Sequence, residues 1–234
     1  MHWLPLISDK ILWTLRNCAL CGASWPPKKW LCRSCDQALH GRILEPGAMR
    51  WEEIKSLEVY SLLDWRRSSE EGLFLSRLMY CLKGEFRQDG WDLMALRFLS
   101  QWTLLKEKSS PVRDSLQKGT VLLVPAPPRF PGQRDHATAF AQGLSEYLDA
   151  PIYLGLRKKI PQGSWVQKQL GRGQRARLEV EHQGSPPSYL TKEWTVIFVD
   201  DLITTGATAR AVAAAFRKTE CQFVVWTLAR RSLD

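Results

Sequence analysis

The residues with the most chemistry to offer form one stretch, Asp200-Asp201-Leu202-Ile203-Thr204-Thr205-Gly206-Ala207-Thr208, directly after the apolar run Val196-Ile197-Phe198-Val199. Adjacent carboxylates can accept hydrogen bonds from vicinal hydroxyls or hold a hydrated Mg²⁺. A hydroxyl-rich turn with a glycine, opening a helix, can aim several backbone N–H groups at one phosphate near the positive helix end. Together these groups describe a site for a sugar phosphate with a free diol. No Gly-Lys-Ser/Thr follows and the spaced glycines of a dinucleotide fingerprint are missing, which excludes both common nucleotide loops.

A second constellation lies near the N-terminus. Cys18-Ala19-Leu20-Cys21 and Cys32-Arg33-Ser34-Cys35 are two Cys-x-x-Cys pairs separated by ten residues. Two thiolates three positions apart on a tight turn grip one face of a tetrahedral ion, and a second pair closes the other face. Gly22 suits the backbone of such a knuckle, and Trp25-Pro26-Pro27 supplies a turn that lets the chain return. The alternatives are two disulfides or four free thiols, both disfavoured in a reducing compartment. The expectation is a structural Zn²⁺ on Cys18, Cys21, Cys32 and Cys35, with no open coordination position for catalysis. Cys81 and Cys221 read as ordinary buried small residues.

These groups need elements to position them. Leu4, Ile7, Ile11, Leu12 and Leu15 suggest a helical lead-in to the cysteine module, so residues 1–45 form a first region. Residues 46–118 form a second, with a strand over Ser56 to Leu63 and helices around Leu73–Met79 and Leu93–Trp102. Lys106 to Lys118, polar and carrying Pro111, reads as a connector. From Gly119 buried strands alternate with helices. Val121–Val124, Thr195–Val199 and Gln222–Leu228 are the strands, with helices around Phe140–Leu148 and Ala207–Lys218. That pattern predicts an α/β domain over 119–234 with a parallel sheet, whose ligands sit at the carboxyl ends of the strands, where the acidic pair falls.

Composition narrows the class. Lys and Arg total 33 against 24 Asp and Glu, a net charge of +9, and 24% charged with 44% hydrophobic residues excludes bulk disorder. No apolar run approaches the ~18 residues of a membrane span. No secretory leader is readable at the N-terminus, so the expected location is cytoplasmic. The eleven tryptophans are scattered and expected mainly in the core. Arg157, Lys158, Lys159, Lys168, Arg172, Arg175 and Arg177 share one Gly- and Gln-rich segment with no acid between the first and the last. Such a loop is a local anion trap, and a surplus of cations also admits single-stranded nucleic acid as a partner.

The acidic pair and its Thr-rich turn resemble the signature of the type I phosphoribosyltransferases, which bind phosphoribosyl pyrophosphate (PRPP). With the four-cysteine module, the whole chain resembles the ComF family of competence-associated proteins. Lys83-Gly84, Val124-Pro125-Ala126-Pro127 with Arg129, and Gln167-Lys168-Gln169-Leu170 with Arg175 agree with that family's pattern. Where the family has Arg-Gly-Phe-Asn-Gln, this chain has Thr138-Ala139-Phe140-Ala141-Gln142 and keeps Phe140 and Gln142. The Asn expected after the Gln–Arg stretch falls at Leu178.

The resemblance implies a type I phosphoribosyltransferase-like sheet flanked by helices, with a small zinc module in front. It implies PRPP or ribose 5-phosphate binding with Mg²⁺. Thr204, Thr205, Gly206 and Thr208 would take the 5′-phosphate, and Asp200 and Asp201, its candidate catalytic pair, the ribose hydroxyls. The loop from Pro125 to Arg129 would approach the pyrophosphate with Mg²⁺, and Arg172, Arg175 and Arg177 would close as a hood over the leaving group. If the pocket turns over, the reaction is phosphoribosyl transfer to an acceptor that the sequence does not name. The setting it implies is DNA uptake, with competence or DNA-processing proteins as partners. The alternative is a non-catalytic accessory that uses the same fold to bind single-stranded DNA or a protein partner.

Overall fold

The computed structural model describes residues 18, 21, 31–43, 49–65, 70–84, 88–105, 111–128, 135–159 and 179–231. The helical lead-in and the Trp25–Pro27 turn fall outside them. The helices are α1 (Arg33–Ile43), α2 (Glu70–Gly84), α3 (Gln88–Leu104), α4 (Pro111–Lys118), α5 (His136–Leu148) and α6 (Ala207–Phe216). The strands are β1 (Arg50–Ile54), β2 (Leu57–Trp65), β3 (Val121–Pro125), β4 (Leu156–Lys158), β5 (Val180–His182), β6 (Thr195–Ile203) and β7 (Gln222–Arg231).

Five strands form one sheet in the order β1-β2-β7-β6-β3. The pairs β2–β7, β7–β6 and β6–β3 are parallel, and only β1–β2 is antiparallel. That hairpin closes through Lys55 and Ser56 at φ 50° and 66°, the left-handed pair a two-residue turn needs to match strand twist. The expected α/β architecture with a mostly parallel sheet is therefore present. The sheet takes β1 and β2 from before residue 119 and β3, β6 and β7 from after it.

The sheet is buried on both faces because its strands are apolar at consecutive positions. Ile197 and Val199 of β6 and Trp226 of β7 face a core shared with Leu78 and Leu82 of α2, Trp91 and Phe98 of α3, and Phe140 of α5. Val196 and Phe198 alternate to the other face and meet Ala209, Val212 and Phe216 of α6. An aromatic train runs through the first core, with Phe98 centred 5.0 Å from Trp226 and Trp102 5.3 Å from Trp226. Trp91, Trp102 and Trp226 are core residues as expected, whereas Trp51 on β1 is exposed. Helices α3 and α5 approach closely at Gly143, where a Cβ would stand 2.9 Å from that of Ala95.

Two stretches differ from the sequence expectation. The supposed connector contains α4, because Pro111 sits at the first helical position, where its missing N–H costs nothing. Val112 and Ser115 turn inward from α4, and Ser115 Oγ lies 2.8 Å from Thr195 Oγ1 at the start of β6. The long basic segment is rooted in a two-stranded antiparallel ribbon, β4 against β5. His182 fixes that ribbon to α6: its Nε2–H donates to Ala215 O at 3.1 Å while Nδ1 meets the Tyr153 hydroxyl at 2.9 Å.

From β3 the chain leaves through α5 and returns outside it, where Ile152 bridges Leu123 in parallel. From β6 it leaves through α6 to β7 on the other side. The connections diverge between β3 and β6, so their carboxyl ends border a topological switch point, the usual crevice for a ligand in such a sheet.

Candidate functional site

Asp200 and Asp201 sit at that crevice, near the end of β6. Asp200 is in register with Thr227 of β7, and Ala126 N–H, just after β3, donates to Val199 O at 2.8 Å. The Pro125–Pro127 loop is thereby held against the acidic pair. The Asp201 backbone N–H donates to Asp200 Oδ1 at 2.9 Å. Burial, reinforced by the neighbouring Asp201 charge, pushes the Asp200 carboxyl well above the usual carboxylate range. The two acids are unlike in their surroundings: Asp200 is covered and holds its proton to higher pH, whereas Asp201 faces a lysine.

Asp201 has a counter-ion. Lys83 Nζ, from the last turn of α2, lies 2.5 Å from Asp201 Oδ2. The carboxylate side chain is 14% exposed and that of the lysine 37%. His136, the first residue of α5, belongs to the same cluster. Burial holds its imidazole below the usual histidine range, Lys83 adds to this, and Asp201 and Asp135 oppose it. Asp135 caps α5 by accepting the His136 N–H at 2.6 Å, and the ring stacks on Trp91 with centroids 5.9 Å apart.

The turn after the acids is built on Gly206, whose φ of 68° is left-handed and which caps α6. A Cβ there would come within 3.3 Å of Arg210 Nη1. That guanidinium donates to Thr205 O at 2.7 Å and fixes the turn from the first helical turns of α6. Thr204 and Thr205 are exposed, and Thr208 is half-buried in the first turn of the helix. Asp200, Asp201, Thr204, Thr205, Gly206 and Thr208 thus come together in a single strand–turn–helix. Arg129, Arg172, Arg175, Arg177 and the Gln167–Leu170 stretch lie outside the described residues.

Lys83 entered the sequence reading only through the family resemblance, and His136 not at all. Both reach the site from distant helices, a juxtaposition no local pattern encodes. The one local signal is Asp135 preceding His136, an N-cap that places the imidazole at a helix start beside the β3 loop.

The cysteine expectation is met in part. The sulfurs of Cys18, Cys21, Cys32 and Cys35 all lie within 4.8 Å of one another, and no described cysteine is in a disulfide. Cys21 Sγ and Cys32 Sγ are 3.7 Å apart. A tetrahedral site with Zn–S bonds of ~2.3 Å has sulfur–sulfur edges of about 3.8 Å, so the group can hold a metal ion such as zinc. Cys32 precedes α1 and acts as its cap, with its sulfur 3.5 Å from the Cys35 N–H, while the Cys32 N–H points at Cys18 Sγ at 3.3 Å. Burial and the neighbouring thiols push the Cys35 thiol far up, the penalty a bound cation removes. Cys18 and Cys32 join the main core, and Arg97 of α3 reaches Asp36 of α1 at 3.5 Å. Cys81 and Cys221 are only half-buried, and Cys221 Sγ lies 2.9 Å from the Thr219 hydroxyl.

The anion-trap expectation needs correction at its base. Arg157 Nη2 lies 2.7 Å from Glu181 Oε1, and Lys159 Nζ lies 3.2 Å from Glu179 and 3.6 Å from Glu181. These acids stand just beyond the acid-free stretch, and ribbon pairing folds them back onto the cations. Among the described residues no helix is long and apolar enough to cross a membrane. Neither a scan against protein-family models nor a search of curated proteins finds a match for this chain.

Proposed function

We propose that the crevice at the end of β6 binds PRPP or a related ribose 5-phosphate ester, as in a type I phosphoribosyltransferase-like domain of ComF type. The observation that carries this reading is the unlike acidic pair followed by the Gly206-capped Thr turn, at a topological switch point. The 5′-phosphate would lie on the backbone N–H groups and hydroxyls of Thr204–Thr208, at the start of α6. The Asp200 and Asp201 carboxyl oxygens would take the ribose hydroxyls.

The oxygen-only donor set of Asp200 and Asp201 fits a hydrated Mg²⁺, which would neutralise a pyrophosphate group held beside the Pro125–Arg129 loop. Transfer would break the bond between ribose C1 and pyrophosphate and form a bond from C1 to an acceptor. Such chemistry asks a protein for positioning and charge neutralisation more than for a nucleophile. The four-cysteine group serves the fold as a structural zinc site, and DNA uptake is the setting the ComF resemblance suggests.

The test is equilibrium dialysis with labelled PRPP and Mg²⁺ on wild type and on the double variant Asp200→Ala/Asp201→Ala. Saturable binding by wild type, lost in the variant, is expected. No binding at millimolar PRPP, together with salt-steep binding of single-stranded DNA, would replace this reading with the accessory one.

A further inference from the structure

We propose that the outer edge of β1 is a docking site at which an extended basic segment of a partner polypeptide adds to the sheet as a further strand. The proposal does not depend on what the crevice binds.

β1 borders the five-stranded sheet, and among the described residues no strand pairs with its outer side. The two-residue turn at Lys55 and Ser56 fixes which backbone groups face that side. Its flanking residues Ile54 and Leu57 exchange both N–H···O bonds, and such bonded pairs recur at every second position of the ladder. Glu52–Val59 and Arg50–Ser61 are the next two. That leaves the N–H and C=O groups of Trp51 and Glu53 pointing outward, and neither residue has another backbone partner among the described residues. The register runs unbroken from Arg50 to Ile54, without the proline or bulge that commonly closes an edge.

Side-chain placement and charge name the occupant. Ile54 packs on the α6 side of the sheet and Tyr60 on the α2 side. Trp51, opposite Tyr60, and Glu53, opposite Glu58, therefore share the α2 side. Trp51 is 51% exposed there. Glu58 accepts from the Tyr60 hydroxyl, and neither Glu53 nor Glu58 has a cationic partner among the described residues. Glu52 lies on the other side, held by Arg230. Like charges directly opposite each other destabilise a ladder. A Lys or Arg opposite Glu53 on an added strand relieves that repulsion, and its length lets it reach toward Glu58. A second cation two residues along meets the Trp51 ring. A second copy of this chain fits less well. Across a two-fold axis its β1 would pair centred on Trp51, Glu52 or Glu53, which sets Met49, Trp51 or Glu53 itself opposite Glu53. None of these is a cation.

The experiment is calorimetry on the full chain with a blocked peptide of alternating Arg and Val, and with its counterpart carrying Glu for Arg. Wild type is expected to bind the basic peptide saturably below about 1 mM and the acidic one not at all. Glu53→Lys weakens the basic peptide by about tenfold or more, whereas Glu146→Lys, the same charge change on the exposed face of α5, does not. Glu53→Pro removes the outward N–H without touching a bond to β2 and weakens it likewise, with circular dichroism as the check on folding. If Glu53→Pro does not fold, the comparison of the two Lys variants decides. No saturable binding of the basic peptide, equal binding of both peptides, equal effects of the two Lys variants, or unchanged affinity in folded Glu53→Pro overturns the proposal. So does a wild-type dimer in light scattering that Glu53→Pro dissociates, which assigns the edge to a second copy.

Discussion

The molecule solves the same electrostatic problem twice, and differently. At the cysteine module four sulfurs are gathered within 4.8 Å. They contact one another and backbone N–H groups, and the crowding drives the Cys35 thiol far up. At the end of β6 two carboxyls are adjacent, yet Lys83 sits on one and burial pushes the pKa of the other up. The first group needs a cation from outside, and tetrahedral sulfur leaves that cation no room for substrate. The second carries a cation on a flexible side chain, which can leave. A permanent charge partner makes a structural site; a displaceable one makes a site that can bind.

The contrast predicts unequal responses to mutation. The largest effect belongs to the cysteines. Cys18→Ser, or chelation of the wild type, should remove about one zinc per chain by metal analysis and lower Tm by about 10 °C, roughly 3–5 kcal/mol. The isolated Thr204–Thr208 turn should keep its ligand affinity in whatever fraction stays folded. Loss of ligand binding by folded Cys18→Ser would erase the distinction between the two regions.

Next comes Gly206→Ala, whose side chain must adopt a left-handed backbone at φ 68° close to Arg210. It should lower the urea midpoint by an amount corresponding to about 1–2 kcal/mol and weaken phosphate binding further. A neutral result would mean the turn is not held as described.

A pH-dependent effect follows from Asp200. Its folded pKa is raised above the ordinary 3.8, so its contribution to stability is fully present below that value and is lost as pH rises through the folded pKa. Wild type should therefore lose stability relative to Asp200→Asn as urea unfolding is repeated from about pH 4 upward. Parallel curves would show that the carboxyl ionises normally. The smallest effect is expected at the ribbon, where Glu181→Gln removes exposed ion pairs with Arg157 and Lys159 and should leave Tm within measurement error.

Much of this was legible in the sequence, for identifiable reasons. The runs Val121–Val124 and Thr195–Val199 could be read because strands buried on both faces are apolar without interruption. Cys18, Cys21, Cys32 and Cys35 could be read because metal ligation imposes a short spacing. Asp200 to Thr208 is a local strand–turn–helix, so its groups are neighbours in sequence as well as in space.

The hidden parts are those that depend on tertiary approach. The Lys83–Asp201 pair joins the end of α2 to β6, and His136 arrives on α5. Helix α4 was concealed because Pro111 breaks a helix in most positions and starts one only at the first. The Glu179 and Glu181 pairings were concealed because a basic segment counted along the chain ignores the ribbon that folds acids back onto it.

The central claim is that the crevice at the end of β6 receives a ribose phosphate with Asp201 and the Gly206 turn as its anchors. A crystal structure with ribose 5-phosphate tests it most directly. The account predicts the phosphate within hydrogen-bonding distance of the Gly206–Thr208 N–H groups and a ribose hydroxyl on Asp201. Phosphate density elsewhere on the molecule, with the turn empty in crystals soaked to saturation, would contradict it.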